Sequence, residues 1–262
     1  MEIPSTLCSN LYDFAFCPEP CYDRLVDLAD PEDWGLNNRI LKNYLSFSFS
    51  RAVFLTERDA EQESPSNLPL VFDDGRCLFN TGLYTRRYEN IYGLFEPNTK
   101  PDARQHWFLK GFFKESDPVL VAFEYLPCRV HFAEDPSELV FDYRLPIRSN
   151  IDHILGDEEN LTRIPTSLMG EDNSLLLRRA FEGAVAESAR RAAANYTLAV
   201  PQFYGGRIQL LLPLCLTSDK PELALTIQRE DGFYAARTCL TIEMAYNNAR
   251  LICRPETSWI KR

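Results

Sequence analysis

The chain reads as an α+β protein: a largely antiparallel sheet with a long helix and a C-terminal helix packed against it. Three observations predict this. From Asn173 to Tyr196, residues Leu177, Phe181, Ala184, Val185, Ala192 and Tyr196 fall on one stripe at about 100° per residue, the pattern of an amphipathic helix. Asp73-Asp74-Gly75 and Glu230-Asp231-Gly232 each separate two strand-like runs, the signature of a tight hairpin. Arg207 to Leu216 is almost continuously apolar, as a strand buried on both faces requires.

Taken in order, residues 1–29 place Phe14, Phe16, Tyr22 and Leu25 among prolines and read as an arm that packs on a body. Asp30-Pro31-Glu32-Asp33 has the cap, the first-turn proline and the acids of a helix start. Ile40, Leu41, Tyr44, Leu45, Val53 and Phe54 continue it at helical spacing, with Gly35 as a point of division. A charged loop over 57–69 follows. Leu70–Phe72 and Arg76–Leu83 then pair through the first Asp-Gly turn, and Asn90–Glu96 joins them. His106–Phe113 and Val119–Tyr125 are expected strands. Val130–Phe132 and Leu139–Phe141 are short strands or extended pieces. Tyr143–Asn150 is extended, and Asp152–Leu155 opens a short helix. The long helix leads through Gly205-Gly206 into the buried strand. Leu223–Arg229 pairs with Phe233–Leu240, and a last helix begins near Thr241 with Ile242, Ala245, Tyr246, Ala249 and Cys253 facing the core. No stretch reads as a linker. The expectation is one domain over 1–262, with an arm and helices over 1–68 and the α+β body over 69–260.

With 38 acidic against 28 basic residues, the formal net charge is −10. Such a surface repels polyphosphate at long range. It argues against non-specific nucleic-acid binding and leaves room for a local arginine-lined pocket. No apolar run approaches the roughly 20 residues of a membrane helix. The Met1-Glu2-Ile3-Pro4 start lacks a basic and apolar leader, so a cytoplasmic chain is expected. Its eight cysteines are then buried free thiols. Cys17 and Cys21 have a zinc-like spacing, but no second pair or histidine accompanies them, and a plain turn is the preferred reading.

No motif names a reaction. His106 and His131 lie in strand-like runs and read as structural. His153 lies in a polar segment with Arg148, Asn150 and Arg163, where an imidazole suits a proton donor or phosphate partner. Asn80-Thr81-Gly82 either holds a ligand's polar edge or ends a strand. Glu243, Asn247 and Arg250 recur at i, i+4 and i+7 on the last helix, and paired asparagines inside a helix imply amide partners. With Asn195, Tyr196, Gln202 and Tyr204 from the 195–213 stretch, these amides, rings and guanidiniums suit a nucleotide. They equally suit a buried polar network fixing helix to sheet.

Phe79-Asn80-Thr81-Gly82-Leu83, Tyr92–Asn98, Asn195–Tyr204, Ile208–Leu214 and Met244–Ile252 resemble an uncharacterised domain family of bacteria and fungi, over about Pro69 to Ile260. The resemblance implies an RNA context, since members are sometimes joined to cold-shock or similar RNA-binding barrels. It implies no known activity and leaves the cofactor unknown, and this chain shows no such extra module.

The leading expectation is a pocket for a nucleotide or RNA end. Asn80, Arg163, Asn195, Tyr204, Asn247 and Arg250 would be its recognition groups, with His153 and Glu243 available for phosphoester chemistry. The alternative is a non-enzymatic module whose N-terminal arm meets a protein partner.

Overall fold

The computed structural model describes residues 7–61, 64–170 and 173–260. The Met1–Pro4 start and part of the acidic Ala60–Ser66 loop lie outside them. The chain divides into two compact units, Met1–Val130 and His131–Arg262. Each unit holds one five-stranded sheet.

The first unit opens with helix α1 (Leu11–Phe14), strand β1 (Ala15–Phe16) and helix α2 (Glu19–Leu28). The expected arm is therefore folded, and Cys17-Pro18-Glu19-Pro20-Cys21 enters a helix instead of a plain turn. Pro18 is the N-cap and Pro20 sits where a helix has no use for an N–H. The expected helix start at Asp30 is displaced. Gly35 (φ 71°), Asn37 (φ 53°) and Asn38 (φ 57°) take left-handed backbone, so helix α3 begins only at Arg39 and runs Arg39–Asp59. Its buried stripe includes Ile40, Leu41, Tyr44, Leu45, Phe49 and Val53, while Phe54 points outward at 51% exposure.

The sheet follows as β2 (Leu70–Asp73), β3 (Arg76–Tyr84), β4 (Asn90–Pro97) and β5 (Trp107–Lys114), antiparallel neighbours in the order β1-β5-β4-β3-β2, with β1 parallel to β5. The Asp74-Gly75 hairpin forms as read, both residues at positive φ. Phe14 is the centre of the aromatic core, with ring centroids 4.8 Å from Phe49, 5.3 Å from Phe95 and 5.5 Å from Trp107. The strand expected over Val119–Tyr125 is absent. Asp117 caps Val119 N (3.1 Å) and Pro118 fixes the first helical φ, so a 3₁₀ turn forms at Pro118–Leu120.

The second unit begins irregularly. Val130–Phe132 and Leu139–Phe141 form no strands, and Asp135 caps a 3₁₀ turn at Pro136–Leu139. Of the extended Tyr143–Asn150 segment only β6 (Ile147–Arg148) pairs with the sheet. Short helices α4 (Ile151–Gly156) and α5 (Glu158–Leu161) precede the long helix α6 (Ser174–Ala194). Then come β7 (Val200–Tyr204), β8 (Arg207–Leu214), β9 (Leu223–Glu230), β10 (Phe233–Thr241) and helix α7 (Ile242–Arg250). The sheet order is β6-β10-β9-β8-β7, antiparallel except for β6 beside β10.

One face of this sheet, with Leu210, Leu212, Leu214, Leu223, Leu225 and Ile227, buries Leu177, Phe181 and Val185 of α6. This is the expected stripe, except that Tyr196 lies beyond the helix and is 57% exposed. Cys253, expected in the core, is exposed. The other face carries a row of amides under α7. Asn248 Nδ2 donates to Gln202 Oε1 (3.0 Å), Gln202 Nε2 to Gln209 Oε1 (2.8 Å), and Gln209 Nε2 to Gln228 Oε1 (3.4 Å). Gln228 Nε2 donates to Glu230 Oε1 (3.1 Å), which also receives the Arg237 guanidinium.

Candidate functional site

Two clefts open in the second unit, at the two ends of the segment that leads into β6. The first, about 420 Å³, is lined by Arg148, Ser149, Asn150, His153, Ala235, Ala236 and Arg237. The Asn150 side chain accepts from His153 N (3.2 Å), which starts α4 and carries the exposed imidazole to the cleft. β6 pairs Arg148 with Ala235. The Arg148 guanidinium then lies 4.3 Å from the Phe233 ring centroid, and among the described residues it makes no ion pair. A guanidinium stacked on a ring keeps its N–H edge free for an anion. Asp152, next to His153 in the chain, shares the Arg178 guanidinium with Glu182. Glu230 holds Arg237 in place.

The second cleft, about 650 Å³, is lined by Ser137, Val140, Phe141, Asp142, Tyr143, Arg144, Tyr196 and Arg229. Its floor is fixed. Phe141 stacks on Tyr234 (5.1 Å, 23°), whose hydroxyl accepts from Asp142 N (2.9 Å). Asp142 holds Arg144 through two parallel bonds, Nε to Oδ1 (2.8 Å) and Nη2 to Oδ2 (2.7 Å), and Arg229 lies 3.9 Å away. The hydrogen bonds from the Arg144 guanidinium, then from its backbone N–H, bring the Asp142 carboxyl down to about 2.

The eight residues singled out in the sequence do not line one cleft. His153 lines the first, together with Arg148 and Asn150, which the sequence had placed beside it. Asn195 serves the second indirectly: its Oδ1 accepts from Thr197 N (3.2 Å) and Thr197 Oγ1 (2.6 Å), fixing the 3₁₀ turn that presents Tyr196. Tyr204 is 66% exposed at the end of β7 and lines neither cleft.

Arg163 is fully engaged, to Asn160 Oδ1 (3.1 Å), the Cys239 carbonyl (2.7 Å) and Glu159, and so clamps α5 to β10. Asn80, in the first unit, uses its amide to donate to the Pro127 carbonyl (3.0 Å) and accept from Gly82 N (2.9 Å). It is 2% exposed and locks a strand irregularity. Glu243 and Asn247 are half-buried on α7, and Arg250 is 5% exposed. None of these three lines the His153 cleft. Asn247 Oδ1 is buried without a hydrogen-bond partner among the described residues.

Among the described residues no group of three or more His, Cys, Asp or Glu is placed to hold a metal. Cys17 Sγ donates to the Ala15 carbonyl (3.5 Å), and burial pushes its thiol up to about 12. No described helix is long and apolar enough to cross a membrane.

Residues 25–259 match the model of a domain of unknown function, DUF3825. The chain belongs to this family. The match begins well before the Pro69 at which the resemblance starts, and it takes in α3 and the last turn of α2. No curated protein and no solved structure matches the chain.

Tyr143, Arg144, Arg229 and Arg237 are the site groups that sequence reasoning missed. Arg229 and Arg237 belong to strands read for their apolar pattern. Tyr143 and Arg144 stand in a segment read only as extended, with no spacing to single them out.

Proposed function

We propose that the protein binds a phosphate-bearing ligand, a nucleotide or an RNA end, in the cleft of His153. The observation that carries this is the Arg148 guanidinium, stacked on Phe233 without a carboxylate partner and grouped with His153, Arg237, Asn150 and Ser149. On a chain of net charge −10, basic groups gathered around one cleft favour an anion locally while the rest of the surface repels it. Arg supplies directional N–H donors to phosphate, and the His and Asn side chains add donors at the same place. Glu243 does not line this cleft. The reading is therefore one of binding, with His153 available for proton transfer to a phosphoester. The RNA context implied by the family resemblance agrees with this ligand class.

The test is thermal unfolding of the protein against mononucleotides and short RNAs, with and without Mg²⁺. A ligand present at a hundred times its Kd adds about 2.7 kcal/mol of stability. The expected result is a rise confined to phosphate-bearing ligands and abolished by Arg148→Ala. A rise that survives Arg148→Ala unchanged, or a flat panel on folded protein, sinks the proposal. A flat panel would favour the protein-interaction reading.

A further inference from the structure

We propose that the second cleft holds a base, and that the ligand of this unit is a single-stranded oligonucleotide crossing the β6 edge. This rests on the phosphate reading of the His153 cleft and extends it. Two tyrosines line the second cleft with most of their rings in solvent, Tyr143 at 64% and Tyr196 at 57% exposure. Exposed aromatic rings in a concave site are stacking platforms for bases, which all present a π-face. Arg144 adds a third planar surface, since its two-point bond to Asp142 fixes the guanidinium and leaves its face open.

These platforms are held rigidly, which lowers the entropy lost on binding. The Tyr196 turn is tied by Asn195 from within, by Trp259 Nε1 to the Leu198 carbonyl (2.9 Å), and by Thr257 Oγ1 to the Thr197 carbonyl (3.2 Å). Tyr143 and Arg144 follow Asp142, whose backbone is anchored on Tyr234. The lining carries Arg144 and Arg229 on the one carboxylate of Asp142.

The two clefts are joined by one stretch of chain. Arg144 and Arg148 are four residues apart, which limits their Cα separation to about 14 Å. They open on opposite faces of the sheet edge. Alternation along β9 puts Arg229 on the face away from Glu230, while Arg237, in the first cleft, pairs with Glu230. A ligand that meets both has to pass over β6, which fits a short single strand and not a mononucleotide.

The experiment uses separate probes for the two clefts. Adenosine carries a base without phosphate, ribose 5-phosphate carries phosphate without a base, and a six-residue oligoadenylate carries both. Binding is followed by NMR titration for the small probes and by Kd for the oligonucleotide. Adenosine is expected to bind the wild-type protein and Arg148→Ala but not Tyr143→Ala or Tyr196→Ala. Ribose 5-phosphate should show the reverse.

The oligoadenylate Kd should rise roughly 5- to 150-fold in Tyr196→Ala and stay near wild type in Tyr196→Phe, which keeps the ring. Both tyrosines are exposed, and an unchanged melting temperature verifies that the variants fold. If ribose 5-phosphate binds but adenosine does not at millimolar concentration, the base site is overturned and the phosphate site stands. If adenosine binds regardless of Tyr143 and Tyr196, the base site is again overturned. If neither probe binds, both proposals fall.

Discussion

At the scale of residues, the groups that first looked like ligand contacts divide by what already occupies them. Asn80 and Arg163 have spent their polar atoms on backbone carbonyls, amides and an acid within the fold. The residue beside Arg163, Asn160, is the more connected. It is 2% exposed, donates to the Ile154 carbonyl (3.1 Å), and offers one oxygen to Thr238 Oγ1, Cys239 N and Arg163. Removing it strands several buried partners at about 1–3 kcal/mol each. Asn160→Ala is therefore expected to lower the unfolding free energy in urea by at least about 2 kcal/mol. A loss below about 0.5 kcal/mol would show that relaxation satisfies those partners, and the clamp would lose its importance. Asn160 carried no signal in the sequence, where an amide after two glutamates reads as surface. What distinguishes it is the Thr238 hydroxyl and the Cys239 N–H, donated by a strand nearly eighty residues away.

At the scale of elements, the hairpins and the long helix were legible because their causes are local. Asp-Gly at a turn needs only the backbone freedom of two residues, and an apolar stripe needs only its own period. The Val119–Tyr125 strand failed for a local reason too. Asp117 and Pro118 start a helical turn, and their effect outweighs the β-propensity of the valines. Asn80-Thr81-Gly82 was ambiguous because its cause is not local.

Gly82 has φ 71°, and a Cβ there would meet the Tyr44 hydroxyl of α3 at 2.6 Å. That hydroxyl donates to the Thr81 carbonyl (2.8 Å), so the helix is seated on the strand where the glycine leaves room. Gly82→Ala combines backbone strain of about 1 kcal/mol with this collision. It is expected to lower the melting temperature more than Gly75→Ala, which also has positive φ but open space around it. Equal shifts in the two variants would show that the collision is relieved at no cost.

At the scale of the whole molecule, composition bounded the answer without locating it. A net charge of −10 excludes a broad basic footprint, and the structure places Arg148, Arg237 and His153 around one cleft. Binding of a single strand should accordingly depend weakly on salt. Each neutralised phosphate contributes a slope of about 0.7 in log Kd against log salt, so one or two contacts give a slope near 1. Arg148→Ala should reduce it by about 0.7. A slope of several units would mean a footprint far larger than this cleft. The cleft itself was half legible. His153, Arg148 and Asn150 are close in sequence, whereas Arg237 arrives through strand pairing that one sequence does not reveal.

The amide row beneath α7 has a sense of travel. A carboxylate cannot donate, so Glu230 obliges Gln228 to present its NH₂ and turn its oxygen toward Gln209. The same constraint passes to Gln202 and then to Asn248. Four amides are thus held in one orientation by a single acid, the one that also grips Arg237 at the cleft. Neutralising Glu230 would leave each amide free to turn over, and the helix at the far end would lose its agreement with the sheet.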